Sequence, residues 1–243
     1  LIGERTIYGT LPANRSAFYV KADIYNPPLL LAQRLCNELK SNGIQVDGKP
    51  DVMWKKEKGA RMRVAIHVIE SPALSEIVSD INHRSNNHYA EHVYRYMGSK
   101  QGEGTDTDAG ANVIKSYWKS RGRDTEGLLQ FDGCGLSTMN AITADFLVSL
   151  LIYEKNKAKY SDEFYESLPV AGVNGTVKKL LKGTKLEGKV HAKSGSISRT
   201  QCYAGYIEWK GETYAFAVMV NNFSGARNSV LKAIENVLLS VAN

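Results

Sequence analysis

The hydrophobic positions of this chain change period along its length. Residues Arg5 to Leu11 and Ser16 to Ile24 are two β-branched and aromatic runs separated by Pro12-Ala13-Asn14, a pattern compatible with a hairpin. Pro27 and Pro28 then open an apolar-periodic segment through Leu30, Leu31, Leu35 and Leu39 that stops at Asn42-Gly43, so it carries both a helix start and a helix stop. Arg63 to Ile69 is strand-like. From Ser71-Pro72 onward Leu74, Ile77, Val78 and Ile81 recur at helical spacing, and after Arg84 a second helix is expected to carry Tyr89, Val93 and Tyr96. The stretch from Asn82 to Asn87 is polar. A Gly-rich loop at Lys100 to Thr107 precedes a helix for which Asp108 is the expected cap, running to Arg121, and Thr143 can cap another through Leu151.

At His191 the period becomes two. A short strand over 191 to 197 is followed by Gln201 to Trp209 and Thr213 to Val220 around Lys210-Gly211-Glu212, which predicts an antiparallel meander. Gly225 to Ala242 closes the chain as an amphipathic helix with Val230, Ile234, Val237, Leu238 and Val241 on one face. No internal repeat or low-complexity tract is present.

Composition narrows the reading without deciding it. The 243 residues, 43% of them hydrophobic, suffice for one large domain or two smaller ones. The net charge of +6 is spread among interspersed acids and bases, and the densest cluster (Lys55, Lys56, Lys58, Arg61 and Arg63) lacks aromatic interleaving, so it reads as a solvated loop and no nucleic-acid partner is expected. Cys36, Cys134 and Cys202 are far apart and form no CxxC pair, which argues against a zinc ribbon or disulfide framework. No apolar run approaches the length of a membrane span. The first residue is Leu1, and the first 30 residues lack a basic start followed by an apolar region; the expectation is a processed product or a piece of a longer protein.

Three short motifs carry the candidate chemistry: Ser85-Asn86-Asn87 at a helix start, Asp132-Gly133-Cys134-Gly135-Leu136-Ser137 in a turn, and Lys193-Ser194-Gly195-Ser196 on a strand. Singly each is a string that chance supplies, with a polar helix start or an ordinary strand entry as its plain reading. Together and in this order they resemble the S-x-N, DGSGLS-like and K-[ST]-G motifs of the D-alanyl-D-alanine carboxypeptidases, the penicillin-binding serine enzymes of the peptidase S13, DacB-like family. Ser71 to Ser75, Asn87 to His92, and Leu168 to Gly172 followed by Asn174-Gly175-Thr176 extend the resemblance over roughly residues 16 to 240.

The resemblance implies an α/β fold, an antiparallel sheet flanked by helices of the serine β-lactamase and penicillin-binding transpeptidase type, incomplete at the N-terminus. Residues 1–26 would be the remnant of an accessory domain, and 27–243 the C-terminal part of the catalytic domain. Cleavage through an acyl-enzyme needs an activated hydroxyl, a proton relay and oxyanion donors. Ser85 would be the relay, Asn87 would hold a substrate peptide group, and Lys193 would supply a positive charge. Ser194 would meet the terminal carboxylate, while Gly195 and Ser196 would lie along an extended substrate, with a backbone N–H near Ser196 completing the oxyanion hole. The expected partners are peptidoglycan stem peptides and β-lactams, the expected location is periplasmic or extracytoplasmic, and no metal or organic cofactor is implied.

Two departures stand out. Cys134 replaces the serine of the DGSGLS-like turn and reads as a conservative buried replacement. The larger one is the nucleophile: the family's S-x-x-K motif precedes S-x-N, and nothing in residues 1 to 84 matches it. Ser116 to Lys119 and Ser229 to Lys232 fit the expression but lie downstream of Ser85 and are taken as chance matches. The chain is therefore expected to lack its own nucleophile and to be inactive alone, with that segment supplied upstream. Two rivals remain at this stage. One is a non-catalytic peptidoglycan-binding module, and the other a zinc peptidase using the H-x-x-E-H string His88, Glu91 and His92. The strand at 213–220 is expected to have an open edge, covered by the N-terminal hairpin or by a second copy of the chain.

Overall fold

The computed structural model of the chain describes residues 6, 8–20, 22–54, 64–65 and 67–242. It divides into two compact units, Leu1–Val68 and Ile69–Asn243.

In the first unit the expected helix forms as α1, Pro27–Ser41. Asn26 caps it by accepting the Leu29 N–H at 3.1 Å, the prolines occupy the first turn, where an N–H would be unsatisfied, and Gly43 follows at φ 77°. The hairpin is not seen among the described residues between 6 and 25, which contain a turn at Ala13-Asn14 and no strand. The reason is visible in the side chains. Tyr8, Tyr19 and Tyr25 are largely exposed, so the two runs bury little apolar surface, and an isolated pair of strands is marginal without it. The basic cluster at 55 to 63 and part of the expected strand at 63 to 69 lie outside the described residues; Val64, Ala65 and His67 to Ile69 carry no strand.

The second unit contains α2 (Leu74–Arg84), α3 (Asn87–Lys100), α4 (Thr107–Lys119), α5 (Ala144–Lys157), α6 (Ser161–Ser167), a single 3-10 turn at Gly175–Val177, strands β1 (Val190–Ile197), β2 (Thr200–Trp209) and β3 (Glu212–Asn221), and α7 (Arg227–Ser240). The cap of α4 is Asp106, two residues earlier than expected, because its carboxylate reaches the Ala109 N–H at 2.9 Å. Thr143 caps α5 through the Phe146 N–H as expected, but the helix continues past Leu151 to Lys157.

The three strands form an antiparallel sheet in the order β1-β2-β3, with Lys193 opposite Ala204 and Thr200 opposite Asn221. Alternation then sorts the side chains. Val190, Ala192, Tyr203, Ile207, Phe216 and Val218 meet Ile234 and Leu238 of α7 and the buried Leu180, Leu181 and Leu186 of the turns before β1. Tyr206, Ala204 and Ala215 face the other way, toward Leu151 of α5 and Leu168, Phe164 and Tyr165 of the α6 region. A separate cluster of Trp118, Leu128 and Phe146 joins α4 to α5. The sheet thus has helices on both faces, and Lys193, of opposite parity to Val190 and Ala192, belongs to the face that carries His191 and Tyr206.

Candidate active site

The site is assembled in the second unit from the end of α2 and the outer strand β1. Helix α2 stops at Ser85, which caps it in the left-handed conformation at φ 54°, ψ 51°. Asn86 then starts α3, its side-chain oxygen accepting the Tyr89 N–H at 3.2 Å while its amide donates to Asp80 on α2 at 2.8 Å. The middle residue of the S-x-N triplet is therefore the one that fixes the corner between the two helices, a role the triplet's sequence pattern does not reveal. Asn87 is the exposed first residue of α3.

Across from this corner, Lys193 Nζ donates to Ser85 Oγ at 2.9 Å and to the Ser194 carbonyl at 2.6 Å. Burial pushes its ammonium below the usual lysine range. The partners of this ammonium among the described residues are both neutral oxygens, so the charge stays available to an anion. Ser194 Oγ donates to Thr176 Oγ1 at 2.7 Å. Thr176 lies in the 3-10 turn and was not among the sequence candidates; the Asn174-Gly175-Thr176 string marked a resemblance, but only folding brings it against β1. Gly175 has to be glycine there, since at φ +55° a Cβ would stand 2.5 Å from Pro169 Cβ and 3.1 Å from the His83 carbonyl of α2.

Gly195 and Ser196 continue β1 as exposed residues paired with Cys202 and Gln201 of β2. On its other side β1 meets the 169–171 segment near its start, through the Ala192 N–H to the Pro169 carbonyl, the Ala171 N–H to the Val190 carbonyl and a bridge between Val170 and His191. Among the described residues no strand lies beside 193 to 197 on that side, where an extended peptide can be added by main-chain hydrogen bonds.

The Asp132 to Ser137 turn is a scaffold. Asp132 accepts the N–H groups of Gly135 at 2.6 Å and Ser137 at 2.5 Å and the amide of Asn140 at 2.9 Å. Burial alone would raise its carboxyl, and these hydrogen bonds outweigh it and hold the group below the usual carboxylate range. Glu91 on α3 accepts the Gly133 N–H at 2.7 Å and pairs with Arg95 at 2.7 Å. A Cβ on Gly133 would stand 2.3 Å from Tyr94 Cβ, which is why the turn can approach α3 so closely.

These bonds also bear on metal binding. Ligand atoms of Glu91, Asp132 and half-buried Cys134 lie within 4.8 Å of one another, but both carboxylates are already engaged by the donors just named. The rings of His88 and His92 lie with centroids 4.2 Å apart and tilted by 53°, and His92 Nδ1 lies 2.8 Å from the His88 carbonyl. Among the described residues Glu91 converges with Asp132 and Cys134, not with these histidines. The two chance S-x-x-K strings lie on α4 and α7, elements other than those that join Ser85 to Lys193.

An antiparallel sheet between helices, with a lysine of its outer strand against a serine at a helix corner, defines a penicillin-binding transpeptidase-like fold. The chain belongs to the D-Ala-D-Ala carboxypeptidase 3 (S13) family, whose model matches residues 3–242. It is 32% identical over 232 residues to a D-alanyl-D-alanine carboxypeptidase of Actinomadura sp., covering 92% of this chain and 43% of that protein. It is 26% identical over 200 residues to the carboxypeptidase DacB of Mycolicibacterium smegmatis, covering 79% and 43%. The chain thus spans less than half the length of these relatives. Among solved structures, penicillin-binding protein 4 of Haemophilus influenzae, complexed with a β-lactam, superposes with a TM-score of 0.77 at 24% identity, over 90% of this chain and 52% of that one. A penicillin G-acylated predatory endopeptidase of Bdellovibrio bacteriovorus, in complex with an immunity protein, gives 0.56 at 20% identity, over 86% and 57%.

Proposed function

We propose that these residues form the proton-relay and carboxylate-binding half of a serine-type D-Ala-D-Ala carboxypeptidase or endopeptidase acting on peptidoglycan stem peptides. The observation that carries the reading is the 2.9 Å hydrogen bond from Lys193 Nζ to Ser85 Oγ, between residues 108 positions apart that the sequence motifs had already singled out. Family membership supports it.

In this reading a serine hydroxyl attacks the carbonyl of the penultimate D-alanine, forming the acyl–oxygen bond. Ser85 passes a proton to the departing amine as the peptide bond breaks, and water then hydrolyses the ester. Asn87 holds a substrate amide, Lys193 and Ser194 meet the terminal carboxylate, and Gly195 and Ser196 present the strand on which the peptide lies. The nucleophile comes from an S-x-x-K segment outside residues 1–243, so this chain alone is inactive. Residues 1–26 belong to an accessory domain, the parent protein works in the periplasm or at the outer face of the membrane, and β-lactams acylate it. A non-catalytic peptidoglycan-binding module is the second reading, favoured by the lack of an S-x-x-K string ahead of Ser85.

Mass spectrometry after incubation with a penicillin tests the proposal. The expected result is no covalent adduct on the chain alone, because an unassisted serine is protonated and weakly nucleophilic at neutral pH, and a stoichiometric adduct when an S-x-x-K segment is present. An adduct mapped to Ser116 or Ser229 would overturn it. No adduct under either condition would favour the binding module.

A further inference from the structure

We infer that Thr176 is a positioning residue for the substrate carboxylate, acting through Ser194; the inference rests on the reading of Lys193 and Ser194 given above. Its hydroxyl oxygen lies 2.7 Å from that of Ser194. Ser194 is half-buried and follows Lys193 directly on β1. Each hydroxyl has one proton and two lone pairs. When Ser194 donates to Thr176, the Ser194 proton is spent and only its lone pairs face outward, which an incoming carboxylate would meet unfavourably. Rotation of both hydroxyls reverses the chain: Thr176 donates to Ser194, and the Ser194 proton turns to the anion. Two hydroxyls in series then deliver one polarised, charge-assisted hydrogen bond, from the residue whose carbonyl the Lys193 ammonium meets.

The backbone around Thr176 is built to hold that oxygen still. Asn174 Oδ1 accepts the Val170 N–H at 2.8 Å, the Asn174 N–H donates to the Val170 carbonyl at 3.0 Å, and the Gly172 N–H donates to the Val177 carbonyl at 3.1 Å. Val177 is 1% exposed in the main core, whereas Thr176 between it and Gly175 is exposed. An exposed threonine on so constrained a turn has no packing role to explain it. A threonine whose hydroxyl points at a site serine does have a polar one.

The test compares an N-acetylated D-alanyl-D-alanine peptide with its C-terminal carboxamide, in titrations of the full chain followed by NMR. Thr176→Val keeps the shape and removes the hydroxyl. It is expected to weaken binding of the acid about tenfold, the scale of one charge-assisted hydrogen bond, and to leave carboxamide binding unchanged; Thr176→Ser should restore the acid. Equal loss for acid and carboxamide would mean a merely structural role, and wild-type affinity in Thr176→Val would remove the role altogether. Lys193→Ala separates this inference from the reading beneath it. If Lys193→Ala abolishes binding of the acid while Thr176→Val does nothing, only the role of Thr176 fails. If the wild type does not distinguish acid from carboxamide, or Lys193→Ala binds like wild type, the site assignment itself fails and takes this inference with it.

Discussion

Ser85 holds a backbone conformation, φ 54° and ψ 51°, that costs a non-glycine residue on the order of 1–3 kcal/mol. The surroundings over-determine it: Asn86 is bonded to both Tyr89 and Asp80, and the next helix begins at once. Strain kept at a residue whose hydroxyl meets a half-buried lysine fits a site rather than a chance corner. In an active protein containing this chain, Lys193→Ala is expected to lower peptide cleavage at least about a hundredfold, the scale of losing an electrostatic donor in a water-poor site. His88→Ala should be mild. Steady-state kinetics on the two variants decides between them, and equal small effects would remove Lys193 from the mechanism. The ammonium also sets a pH limit. Burial lowers its pKa below the usual value of about 10.4, so the cation is lost, and carboxylate binding with it, at a pH below the ordinary lysine range. Stability should move oppositely, rising as pH climbs from the folded pKa toward the unfolded one, because the folded state no longer holds a desolvated charge. An alkaline limb of peptide binding at or above the ordinary lysine pKa would contradict this assignment.

At the scale of elements, the caps and periods written locally are the ones that could be read. Pro27, Asn42 and Gly43 bound α1, Thr143 starts α5, and the meander lies within a residue of its expected ends because Lys210-Gly211 turns and the alternation of β2 is unbroken. What depended on distant partners was misjudged. The described residues of the runs before Ile24 have strand composition but bury little apolar surface, and Asp106 displaced Asp108 as cap because the helix began two residues sooner. Likewise Ser85, Asn87 and Lys193 were legible as motifs, while Thr176 and Asn86 were not, since their roles arise from a turn meeting a strand and from one helix meeting another. His191 offers a test of the packing on this face. It stacks on Tyr165 at 4.3 Å, Tyr165 in turn donates to Glu208, and Lys155 lies over the same ring at 4.0 Å. Burial holds the imidazole below its usual value, with Lys155 adding to the shift and Glu208 opposing it. The unfolded chain therefore takes up a proton first as pH falls, and stability present above about pH 6.5 should be lost from there down toward the folded pKa. Thermal melts from pH 7.5 to 5 should show that slope in the wild type and a flatter one in His191→Phe, which keeps an aromatic stack without the titration. Identical slopes would mean that His191 is not the group responsible.

For the whole molecule, the sheet of the described residues ends in two edges, one beside 193 to 197 of β1, where the candidate site lies, and one along β3. Residues Ala215 to Val220 form an unbroken apolar run, the signature of a strand covered on both faces, and both faces are indeed covered, by the α7 side through Phe216, Val218 and Val220 and by the α5 side through Ala215. Yet every residue from 215 to 220 is only partly buried, whereas β2 next to it contains buried Gln201 and fully buried Tyr206 and Ile207. The difference is the missing neighbour: among the described residues β3 pairs with β2 alone, so one row of its backbone N–H and C=O groups meets no strand. An apolar, uncharged edge of this length recruits another strand. The proposal is that the chain alone forms a homodimer through 213 to 220, and that further strands of a longer polypeptide would take the same place. Sedimentation velocity should then show concentration-dependent dimers, with the outward β3 amides protected from hydrogen exchange in step with dimerisation. Met219→Lys, which sets a charge on the edge strand, should shift the equilibrium to monomer, and supplying a covering segment should do so without any substitution. A chain that stays monomeric at high concentration while those amides exchange freely would show that the edge tolerates water, and association through it would be abandoned.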